Sequence, residues 1–482
     1  MLDLRPVLFI NGLMLAMLGT GMLVPALIDL YFANPDWLVF MAAAATSLFV
    51  AGALIMTQRG TYDRLTTRQA FLLTVAAWII LPAFGALPFA YSAMGISYAD
   101  AYFEAMSGLT TTGATIIVGL DTAPPGILMW RAILSWLGGV GIIVMAVAVL
   151  PMLQVAGYQL FKTESSDNSE KIIPRVTQLV GAISTAYGTL TALCILLLWG
   201  AGMSFFEAVA HGFATLSTGG FSTSDASIAH FNSPVIDVIL CFFMLCAGLP
   251  FVLIYQALIG RPHVLFRDSQ VRFYLGVLAF LVCMMWAWLL FFQDMEIFRA
   301  LRYASFNVIA VVTGTGFAST DYSLWGTFAF GAFFLMTFMG GCAGSSAGGI
   351  KMFRFRILFS MAQAQMRRLL QPSGVFLARY NGRPVPASTV GSVMSFLFLF
   401  VVSFLMFTIG LLAMGLDLVT AASGAASALA NVGPGLGDII GPAGNYQPLP
   451  DSAKWLLSFA MMMGRLELMT VLILFTPSFW RA

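Results

Sequence analysis

Four uncharged, glycine-rich segments recur along this chain, each between two long apolar stretches. They read LTTTGAT (109–115), LSTGGFST (216–223), VVTGTGFAST (311–320) and ANVGPGLG (430–437). Glycine adopts backbone angles that other residues avoid, and it therefore lets successive carbonyls point the same way. A ring of carbonyl oxygens can replace the hydration shell of a monovalent cation. The candidate ion ligands are Thr111, Thr112 and Gly113; Ser217, Thr218, Gly219 and Gly220; Val312, Thr313, Gly314, Thr315 and Gly316; and Asn431, Val432, Gly433 and Pro434.

The spacing of these segments indicates a fourfold internal repeat. Successive central glycines are 106, 95 and 119 residues apart when the alignment uses Gly113, Gly219, Gly314 and Gly433. The hydroxyls of Thr112, Thr218 and Thr313 can add oxygen ligands. An anion pore would instead need basic rings or N–H donors. The alternative for any single loop is a glycine used for close helix packing in lipid.

Composition places these loops in a membrane. Of the 482 residues, 60% are hydrophobic and only 9% are charged, and the mean hydropathy is +0.90. Soluble domains devote about a quarter of their residues to charge. An α-helix needs about 20 apolar residues to cross hydrocarbon. Ten such runs predict an all-α polytopic membrane protein with both termini on one side: 7–31, 37–56, 70–92, 128–153, 176–201, 234–258, 271–292, 325–340, 388–414 and 454–478.

A segment too short to span the membrane precedes each glycine-rich loop. These segments read DAYFEAMSGL, SFFEAVAHGFA, FRALRYASFNVIA and DLVTAASGAASALA. Three of them have acids near the start, where a helix N-terminus favours negative charge, whereas the third begins with Arg299 and Arg302. Irregular backbone at membrane depth is tolerated only when it is buried in protein or lines water. We therefore predict four re-entrant pore helices whose C-terminal dipoles face the loops.

Charged residues are distributed unequally between the two sides of the predicted membrane. If the N-terminus is cytoplasmic, 18 of the 23 basic residues lie in cytoplasmic segments, as the positive-inside rule requires. Conversely, 14 of the 21 acids lie in outer and pore-region segments. Two interpretations stay open. The acids simply avoid the basic side, or they form an outer vestibule whose negative field concentrates cations.

A second glycine-rich run interrupts the exit helix of the third repeat. Residues 340–349 read GGCAGSSAGG, and each glycine inside a helix costs about 1 kcal/mol relative to alanine. We interpret the run as an intramembrane loop that crosses the conduction path, with a cytoplasmic loop after a short span as the alternative. The candidate gate residues are Gly340, Gly341, Cys342, Ala343, Gly344, Ser345, Ser346, Ala347, Gly348 and Gly349.

Arg465 completes the candidate gate. It lies in AMMMGRLELMTVLILF, in the middle of the last apolar run, where a charge is costly and indicates function. Glu467 is two positions away, and residues at that spacing do not share a helix face. We expect Arg465 to point toward the aqueous pathway, and Glu467 toward another helix or the cytoplasmic interface. The alternative is a structural salt bridge between Arg465 and a neighbouring helix.

These motifs and the fourfold plan resemble the Trk/Ktr/HKT superfamily of potassium transporters, and the two additional N-terminal spans are similar to its bacterial TrkH/TrkG-type uptake subunits. The resemblance implies four pseudo-fourfold M1–pore helix–M2 repeats around a central pore. It implies that the four aligned glycines belong to a potassium filter, that 340–349 is a gating loop and that Arg465 is an electrostatic barrier below the filter. The implied division is 1–68 for an N-terminal transmembrane hairpin, and 69–160, 161–262, 263–372 and 373–482 for repeats 1 to 4.

The resemblance also implies the transported ion and the partners. We expect K⁺ and Rb⁺ to pass, with imperfect exclusion of Na⁺, because only the third loop, TGTGF, approaches the channel pattern TVGYG. No cofactor and no nucleic acid are expected. The implied assembly is a homodimer in the bacterial inner membrane, with membrane lipid around it and both termini cytoplasmic. A TrkA-type cytosolic nucleotide-binding subunit is expected to dock on basic stretches at 351–356 and 367–383, which ordinary positive-inside anchoring also explains.

Two other functional classes compete with a channel-like uptake subunit. A proton- or sodium-coupled symporter with alternating access predicts inverted repeats and a membrane acid near the site. Here the repeats run in one direction, and Glu467 is remote from the loops. An enzyme would need converging catalytic acids, a Ser–His arrangement or metal ligands, and the sequence offers none. We therefore predict a transport protein and not an enzyme.

Overall fold

The computed structural model describes residues 3–58, 60, 65–148 and 176–481. For 142–148 and 176–179 it describes the backbone only. The described chain is largely helical and contains one two-stranded antiparallel hairpin, in which Arg379 pairs with Pro384. The all-α class predicted from the sequence is confirmed. Residues 149–153, the end of the fourth predicted span, lie outside the described residues.

The helices follow one another closely along the chain. Before residue 149 they are α1 (Arg5–Gly21), α2 (Leu23–Tyr31), α3 (Trp37–Thr57), α4 (Thr67–Gly85), α5 (Leu87–Tyr91), α6 (Tyr98–Leu109) and α7 (Pro125–Ala148). From residue 176 to the hairpin they are α8 (Val176–Gly200), α9 (Phe205–Leu216), α10 (Pro234–Ala247), α11 (Phe251–Leu258), α12 (His263–Arg267), α13 (Ser269–Phe292), α14 (Ile297–Val312), α15 (Thr327–Thr337) and α16 (Met352–Leu370). The hairpin strands are β1 (Arg379–Tyr380) and β2 (Arg383–Pro384), and the remaining helices are α17 (Ala387–Ala413), α18 (Leu418–Ala430), α19 (Asp451–Arg465), α20 (Met469–Leu472) and α21 (Pro477–Trp480).

Membrane-length helices account for much of this architecture. Six helical segments in the described residues are long and apolar enough to cross a membrane, and two bent pairs also pass the same test. The multi-pass membrane class predicted from hydropathy is confirmed. The six segments are Arg5–Tyr31, Trp37–Thr57, Thr67–Tyr91, Val180–Gly200, Ser269–Phe292 and Ala387–Ala413.

Three of the predicted spans are not straight membrane helices. The span at 234–258 breaks into α10 and α11, which are bent by 109° at Gly248–Pro250. The last span breaks after α19, where the chain turns by 108°. The span at 325–340 contains only the 11 residues of α15. Proline lacks an N–H and glycine weakens a helix, so the first break has a local cause.

The four predicted short helices are present as α6, α9, α14 and α18. Three begin with a side chain that accepts a hydrogen bond from a first-turn amide, which stabilises a helix by about 1 kcal/mol. The caps are Ser97, Ser204 and Asp417, and Glu207 completes a capping box in α9. The third short helix differs, because Glu296 precedes α14 without a side-chain cap.

Two large hydrophobic clusters pack on either side of the four loops. One joins the N-terminal helices to α6, α7 and the α17–α19 region, and the other joins α8–α11 to α13–α15. Leu109 lies in the first cluster, whereas Leu216 and Val432 lie in the second. The loops therefore lie where the clusters meet. The exact division into a hairpin and four repeats stays a prediction, and its boundary at 160–161 lies outside the described residues.

Candidate cation-conduction site

All four short helices end in the same backbone turn. A residue at the helix end adopts a left-handed φ, and a glycine with positive φ follows two positions later, with all eight angles between +52° and +106°. The pairs are Thr111 and Gly113, Thr218 and Gly220, Gly314 and Gly316, and Asn431 and Gly433. The amide of the intervening residue donates to the carbonyl five positions earlier, as in a Schellman turn. These bonds are Thr112 to Ser107, Gly219 to Ala214, Thr315 to Ala310, and Val432 to Ser427.

This turn corrects the alignment of the loops. The equivalent glycines are Gly113, Gly220, Gly316 and Gly433. The sequence alignment on Gly219 and Gly314 is wrong because loops 2 and 3 each contain two glycines, and only the backbone angles distinguish them. Gly219 occupies the position of Thr112, and Gly314 occupies the position of Thr111.

The equivalent glycines bring the four loops into a closed ring. Each one abuts the carbonyl group of the next repeat, and the fourth returns to the first. The contacts are Gly113 with Gly219, Gly220 with Thr315, Gly316 with Val432, and Gly433 with Thr112. A Cβ would lie 2.5 Å from the carbonyl oxygen in the first contact and 2.6 Å in the last, and it would overlap that oxygen in the other two. Only glycine fits these positions.

The ring has free hydrogen-bond acceptors in a buried place. Its carbonyl groups, named the carbonyl ring below, belong to Thr112, Gly219, Thr315 and Val432, and all four residues are buried. Within the described part of the chain, no N–H or O–H group donates to these oxygens. A buried carbonyl without a donor is uncommon, because nothing replaces its lost hydration. A cation supplies what four such oxygens in one ring require.

The threonine hydroxyls expected from the sequence to add ion ligands take part in hydrogen bonds within and between the loops. The Thr313 hydroxyl donates to the Ile309 carbonyl at 2.8 Å, and the Thr218 hydroxyl donates to the Ser217 carbonyl at 2.6 Å. The Thr112 hydroxyl oxygen lies 2.7 Å from the Thr110 hydroxyl oxygen and accepts from the Asn431 amide at 3.0 Å. The three hydroxyls therefore hold the loops in shape.

A polar side chain on each short helix anchors the segment that leaves the ring, and sequence reasoning missed this set. Glu104, His211 and Asn307 each stand nine positions before a ring glycine, and Ser423 performs the same role in α18. The anchored groups are the Ile116 amide (2.8 Å from Glu104), the Ser222 hydroxyl (3.0 Å from His211), the Ser319 amide (3.2 Å from Asn307) and the Leu436 amide (3.0 Å from Ser423). The spacing of nine in the first three repeats was a usable signal, but only with the corrected alignment, and Ser423 departs from it by one position.

A cavity of about 290 Å³ adjoins the ring on the side where the chains leave it. Gly113, Gly220, Gly316 and Gly433 contribute to its lining, and its charged lining residues are Arg131 and Asp225. The Asp225 carboxylate accepts hydrogen bonds from the Gly119 and Leu120 amides at 3.0 and 3.2 Å.

The predicted acidic vestibule is weaker than the count of outer acids suggests. Three of those acids pair with basic residues that lie outside the cytoplasmic segments. Arg131 Nε is 2.7 Å from Glu104 Oε1, Arg302 Nε is 2.6 Å from Asp237 Oδ2, and Lys454 pairs with Asp100. Neutralised pairs contribute little to a long-range field, so the vestibule interpretation has to rest on the remaining acids.

The candidate gating loop lies against the ring, on the side of the helix C-termini. The Ser346 hydroxyl donates to the Leu216 carbonyl at the end of α9, at 2.9 Å. A Cβ on Gly348 would overlap the Ala430 carbonyl at the end of α18. A Cβ on Gly314 would lie 3.4 Å from the Gly348 amide nitrogen. The loop thus contacts the C-terminal ends of three short helices, which are named their inner ends below.

The break between α10 and α11 provides backbone partners for this loop. The Cys342 amide donates to the Gly248 carbonyl at 2.8 Å, and the Phe251 amide donates to the Gly344 carbonyl at 3.0 Å. The Gly340 amide, at the start of the loop, donates to the Ile350 carbonyl at 3.1 Å. The loop therefore leaves the end of α15 and returns beside it before α16 begins. The break between α10 and α11 holds the loop in place.

Arg465 meets the loop, although the helix around it differs from the prediction. It is the last residue of α19 and is not in the middle of a helix, because the chain bends immediately afterward at Glu467, whose φ is +55°. The Arg465 Nη1 donates to the Ser346 carbonyl at 2.9 Å. Its Nε and Nη2 are buried and have no hydrogen-bond partner within the described residues. Glu467 instead pairs with Arg354 at 2.7 Å.

The basic stretch at 351–356 is not the exposed docking surface predicted from the sequence. Lys351 is only partly exposed and donates to the Ala347 carbonyl inside the gating loop. Arg354 is 2% exposed and its guanidinium lies 3.6 Å from the centre of the Phe396 ring. Exposed basic residues occur farther along, at Arg367, Arg368, Arg379 and Arg383.

Together, the apolar helices and the ring of loops define a class of protein: a multi-pass helical transporter of cations. A family model described as TrkH, cation transport protein, matches residues 38–481. The chain therefore belongs to the TrkH family, which confirms the resemblance and the expectation that the protein is a transporter and not an enzyme.

Relatives and a solved structure match the chain over its whole length. It is 44% identical to the Trk system potassium uptake protein TrkI of Halomonas elongata over 478 residues, covering 99% of this chain and 97% of that protein. It is 36% identical to TrkH of Escherichia coli K12, with 99% of each covered. The crystal structure of the potassium transporter TrkH from Vibrio parahaemolyticus superposes with a TM-score of 0.92 at 35% identity, covering 100% of both chains.

Proposed function

We propose that this chain takes up K⁺ through a channel-like pore in which the carbonyl ring is the selectivity filter. The observation that supports this proposal is the set of four buried carbonyl groups. None of them accepts a hydrogen bond within the described residues, and each lies against a ring glycine of a neighbouring repeat. The relatives named as potassium uptake proteins support K⁺ as the ion. Rb⁺ passes the same way, and Na⁺ is excluded imperfectly. The proposed ion ligands are the predicted residues of the four loops, and the chain needs no cofactor.

The proposed gate is the loop at 340–349 together with Arg465. Gly348 lies against the inner end of α18, so this loop stands in the path of an ion that leaves the ring. The Arg465 guanidinium is buried beside Ser346 without a carboxylate partner in the described residues. Because its positive charge is not neutralised locally, it repels a cation in a low-dielectric surrounding. Opening requires that the loop and Arg465 move apart.

The proposed assembly is a homodimer in the bacterial inner membrane with both termini cytoplasmic. A TrkA-type nucleotide-binding subunit controls the gate from the cytosol. Its proposed docking surface is now restricted to the exposed basic part of 367–383, because Lys351 and Arg354 face the loop and α17. The path from this surface to the gate runs along α16, and only Ile350 and Lys351 separate that helix from the loop.

Purified protein in liposomes tests the proposal directly. Rb⁺ uptake is measured down its gradient, with Na⁺ as the competitor, and with and without a proton gradient. Downhill selective uptake that is indifferent to pH supports a channel. Accumulation of Rb⁺ against its gradient, driven by protons, would instead establish the coupled symporter. Gly316→Ser should abolish selective Rb⁺ uptake, because its φ is +75° and its Cβ would overlap the Val432 carbonyl. Gly331→Ser is the matched control, because nothing lies within 4 Å of its Cβ.

A further inference from the structure

Arg131 and Glu104 form a buried ion pair behind the filter. The Arg131 Nε lies 2.7 Å from Glu104 Oε1, and the two side chains are 1% and 0% exposed. Desolvation of two charges offsets much of their mutual attraction, so such a pair is weak evidence for stability. Stability alone therefore does not account for the pair at this place. We infer that the pair is a charged brace that positions the carbonyl ring, and that it thereby sets discrimination between K⁺ and Na⁺.

The guanidinium of Arg131 connects two loops of the ring. Its Nη2 donates to the Thr115 hydroxyl at 2.9 Å, and its Nη1 donates to the Ser222 carbonyl at 2.8 Å. Thr115 and Ser222 are equivalent residues, since each stands two positions after a ring glycine. The guanidinium carbon also lies 4.1 Å from the centre of the ring of Phe221, the residue next to Gly220. One side chain therefore sets the separation of loops 1 and 2.

The carboxylate of Glu104 completes the brace and extends it to loop 4. Glu104 accepts from the Ile116 amide at 2.8 Å and from the Thr115 hydroxyl at 3.0 Å. The Thr115 carbonyl in turn accepts from the Tyr446 amide at 2.9 Å. The Tyr446 hydroxyl donates to the carbonyl of the ring residue Gly433 at 2.8 Å. The hydrogen bonds that begin at Arg131 thus reach three of the four loops.

The positions equivalent to Glu104 in repeats 2 and 3 hold uncharged hydrogen-bonding side chains in place of an ion pair. His211 and Asn307 each bond within their own repeat, to Ser222 and Ser319. Among the described anchors, only the one in repeat 1 is an Arg–carboxylate pair. A planar guanidinium can hold three separate acceptors in fixed directions, which a lysine ammonium cannot reproduce. The chemistry of the brace therefore demands arginine rather than a positive charge alone.

A ring held by such a brace has a defined geometry. Discrimination between two monovalent cations depends on how many oxygens reach the ion and on where they are held. If loops 1, 2 and 4 separate, Na⁺ is coordinated almost as well as K⁺. Arg131 and Glu104 are then positioning residues, because they act on the ion only through the backbone oxygens of the loops. This inference rests on the proposed filter function.

The test uses the double variant Glu104→Gln/Arg131→Met. Removing one partner alone leaves a buried unpaired charge, which is strongly destabilising, whereas removing both charges is much less so. Glutamine also retains an acceptor oxygen for the Ile116 amide. In proteoliposomes the Rb⁺ flux should persist while the ratio of Rb⁺ to Na⁺ flux falls about tenfold, equivalent to about 1.4 kcal/mol of lost discrimination. Arg131→Lys keeps the charge and should lower the ratio by a smaller factor.

The matched control is Asp237→Asn/Arg302→Met. This pair has the same chemistry, with Arg302 Nε 2.6 Å from Asp237 Oδ2, but it joins α10 to α14 and makes no hydrogen bond to the loops of the ring. It should leave the flux ratio unchanged. A wild-type ratio in the Glu104/Arg131 double variant would overturn the inference, as would an equal loss in the control. If that double variant aggregates, a wild-type ratio in Arg131→Lys overturns it equally.

The outcome for the wild-type protein separates this inference from the proposed function. A wild-type protein that does not favour Rb⁺ over Na⁺ removes the proposed filter and the brace together. A selective wild type with a selective double variant removes the brace alone and leaves the filter intact.

Discussion

The carbonyl ring and the gating loop are both rich in glycine, but they use it differently. In the ring, four repeats supply the same turn, and each glycine abuts the carbonyl of the next repeat. The loop at 340–349 belongs to one repeat, yet it contacts elements of two others through Ser346 and Gly348. In the proposed filter, carbonyl oxygens from all four repeats surround the ion. One segment is enough to cover a pore, so a barrier needs no symmetry.

The two regions are also held in place differently. Buried polar side chains behind the ring, such as Glu104 and Asn307, anchor every loop. The gating loop is held mainly by hydrogen bonds to backbone carbonyls and by Arg465. Displacing the ring leaves buried polar side chains such as Glu104 without partners, whereas displacing the loop mainly separates main-chain groups from one another. The contrast predicts that substitutions in the ring remove transport and that substitutions at the loop increase it.

The largest effect should come from breaking the ring at Gly220. An alanine there adopts a left-handed φ at a cost of about 1–2 kcal/mol, and its Cβ overlaps the Thr315 carbonyl. Gly220→Ala should reduce Rb⁺ uptake in proteoliposomes to background. The matched change, Gly219→Ala, requires no left-handed φ, and its nearest contact is the Ser135 side chain, whose Cβ would lie 2.8 Å away, so it should lose less uptake than Gly220→Ala. A greater loss in Gly219→Ala would restore the original sequence alignment.

A smaller effect, of opposite sign, should follow from Gly348→Ala. Its Cβ would overlap the Ala430 carbonyl, and we expect the loop to yield because buried side chains anchor the ring. Basal Rb⁺ uptake should rise severalfold while the Rb⁺/Na⁺ flux ratio stays constant. If the ratio falls and uptake does not rise, the filter has yielded instead, and the proposed contrast between the two regions is wrong. Gly331→Ala again serves as the control.

Arg465→Ala tests the electrostatic part of the proposed gate without changing any residue of the loop at 340–349. Removing the buried charge and its bond to the Ser346 carbonyl should raise Rb⁺ uptake, by less than Gly348→Ala does. Arg465→Lys keeps the charge and should stay near the wild-type rate. Unchanged or lower uptake in Arg465→Ala, at normal expression, would contradict the barrier role.

The smallest effect should come from the N-terminal caps of the short helices, and it concerns the free energy of unfolding. Ser204→Ala removes a cap from α9 and should lower the free energy of unfolding by about 1 kcal/mol. Glu296→Ala, before the uncapped α14, should change it much less. Thermal unfolding of the purified protein measures both. Ion selectivity should be unaffected by either change, because the ring depends on the inner helix ends. A loss of selectivity in Ser204→Ala would mean that the geometry of the ring also depends on the N-terminal end of α9.

Several features were readable from the sequence because they are local. Hydropathy reports the membrane helices, and the recurrence of glycine-rich loops after short segments marks α6, α9, α14 and α18. The run at 340–349 breaks a helix wherever it occurs, since glycine disfavours helix in any context. Arg465 was identified by its charge in an apolar stretch. None of these inferences required knowledge of a contact between distant residues.

Other features depended on contacts that no local pattern contains. Gly219 and Gly220 are neighbours of the same type, and only the approach of loop 3 distinguishes them. Lys351 and Arg354 belong to a basic stretch that appeared exposed, but the gating loop, Glu467 and Phe396 enclose their side chains. The bend after Arg465 likewise falls at Glu467, whose φ of +55° no local pattern indicates.

The sequence by itself determined that this protein is a helical membrane protein with four related loops and a glycine-rich interruption in the third repeat. Those properties follow from hydropathy and from the conformational freedom of glycine, which each residue carries with it. Only the tertiary structure decided which glycines close the ring, that Arg131 joins Glu104 behind it, and that Arg465 meets the loop at a helix end. These arrangements arise when residues far apart in the chain compete for the same buried space and hydrogen-bond partners.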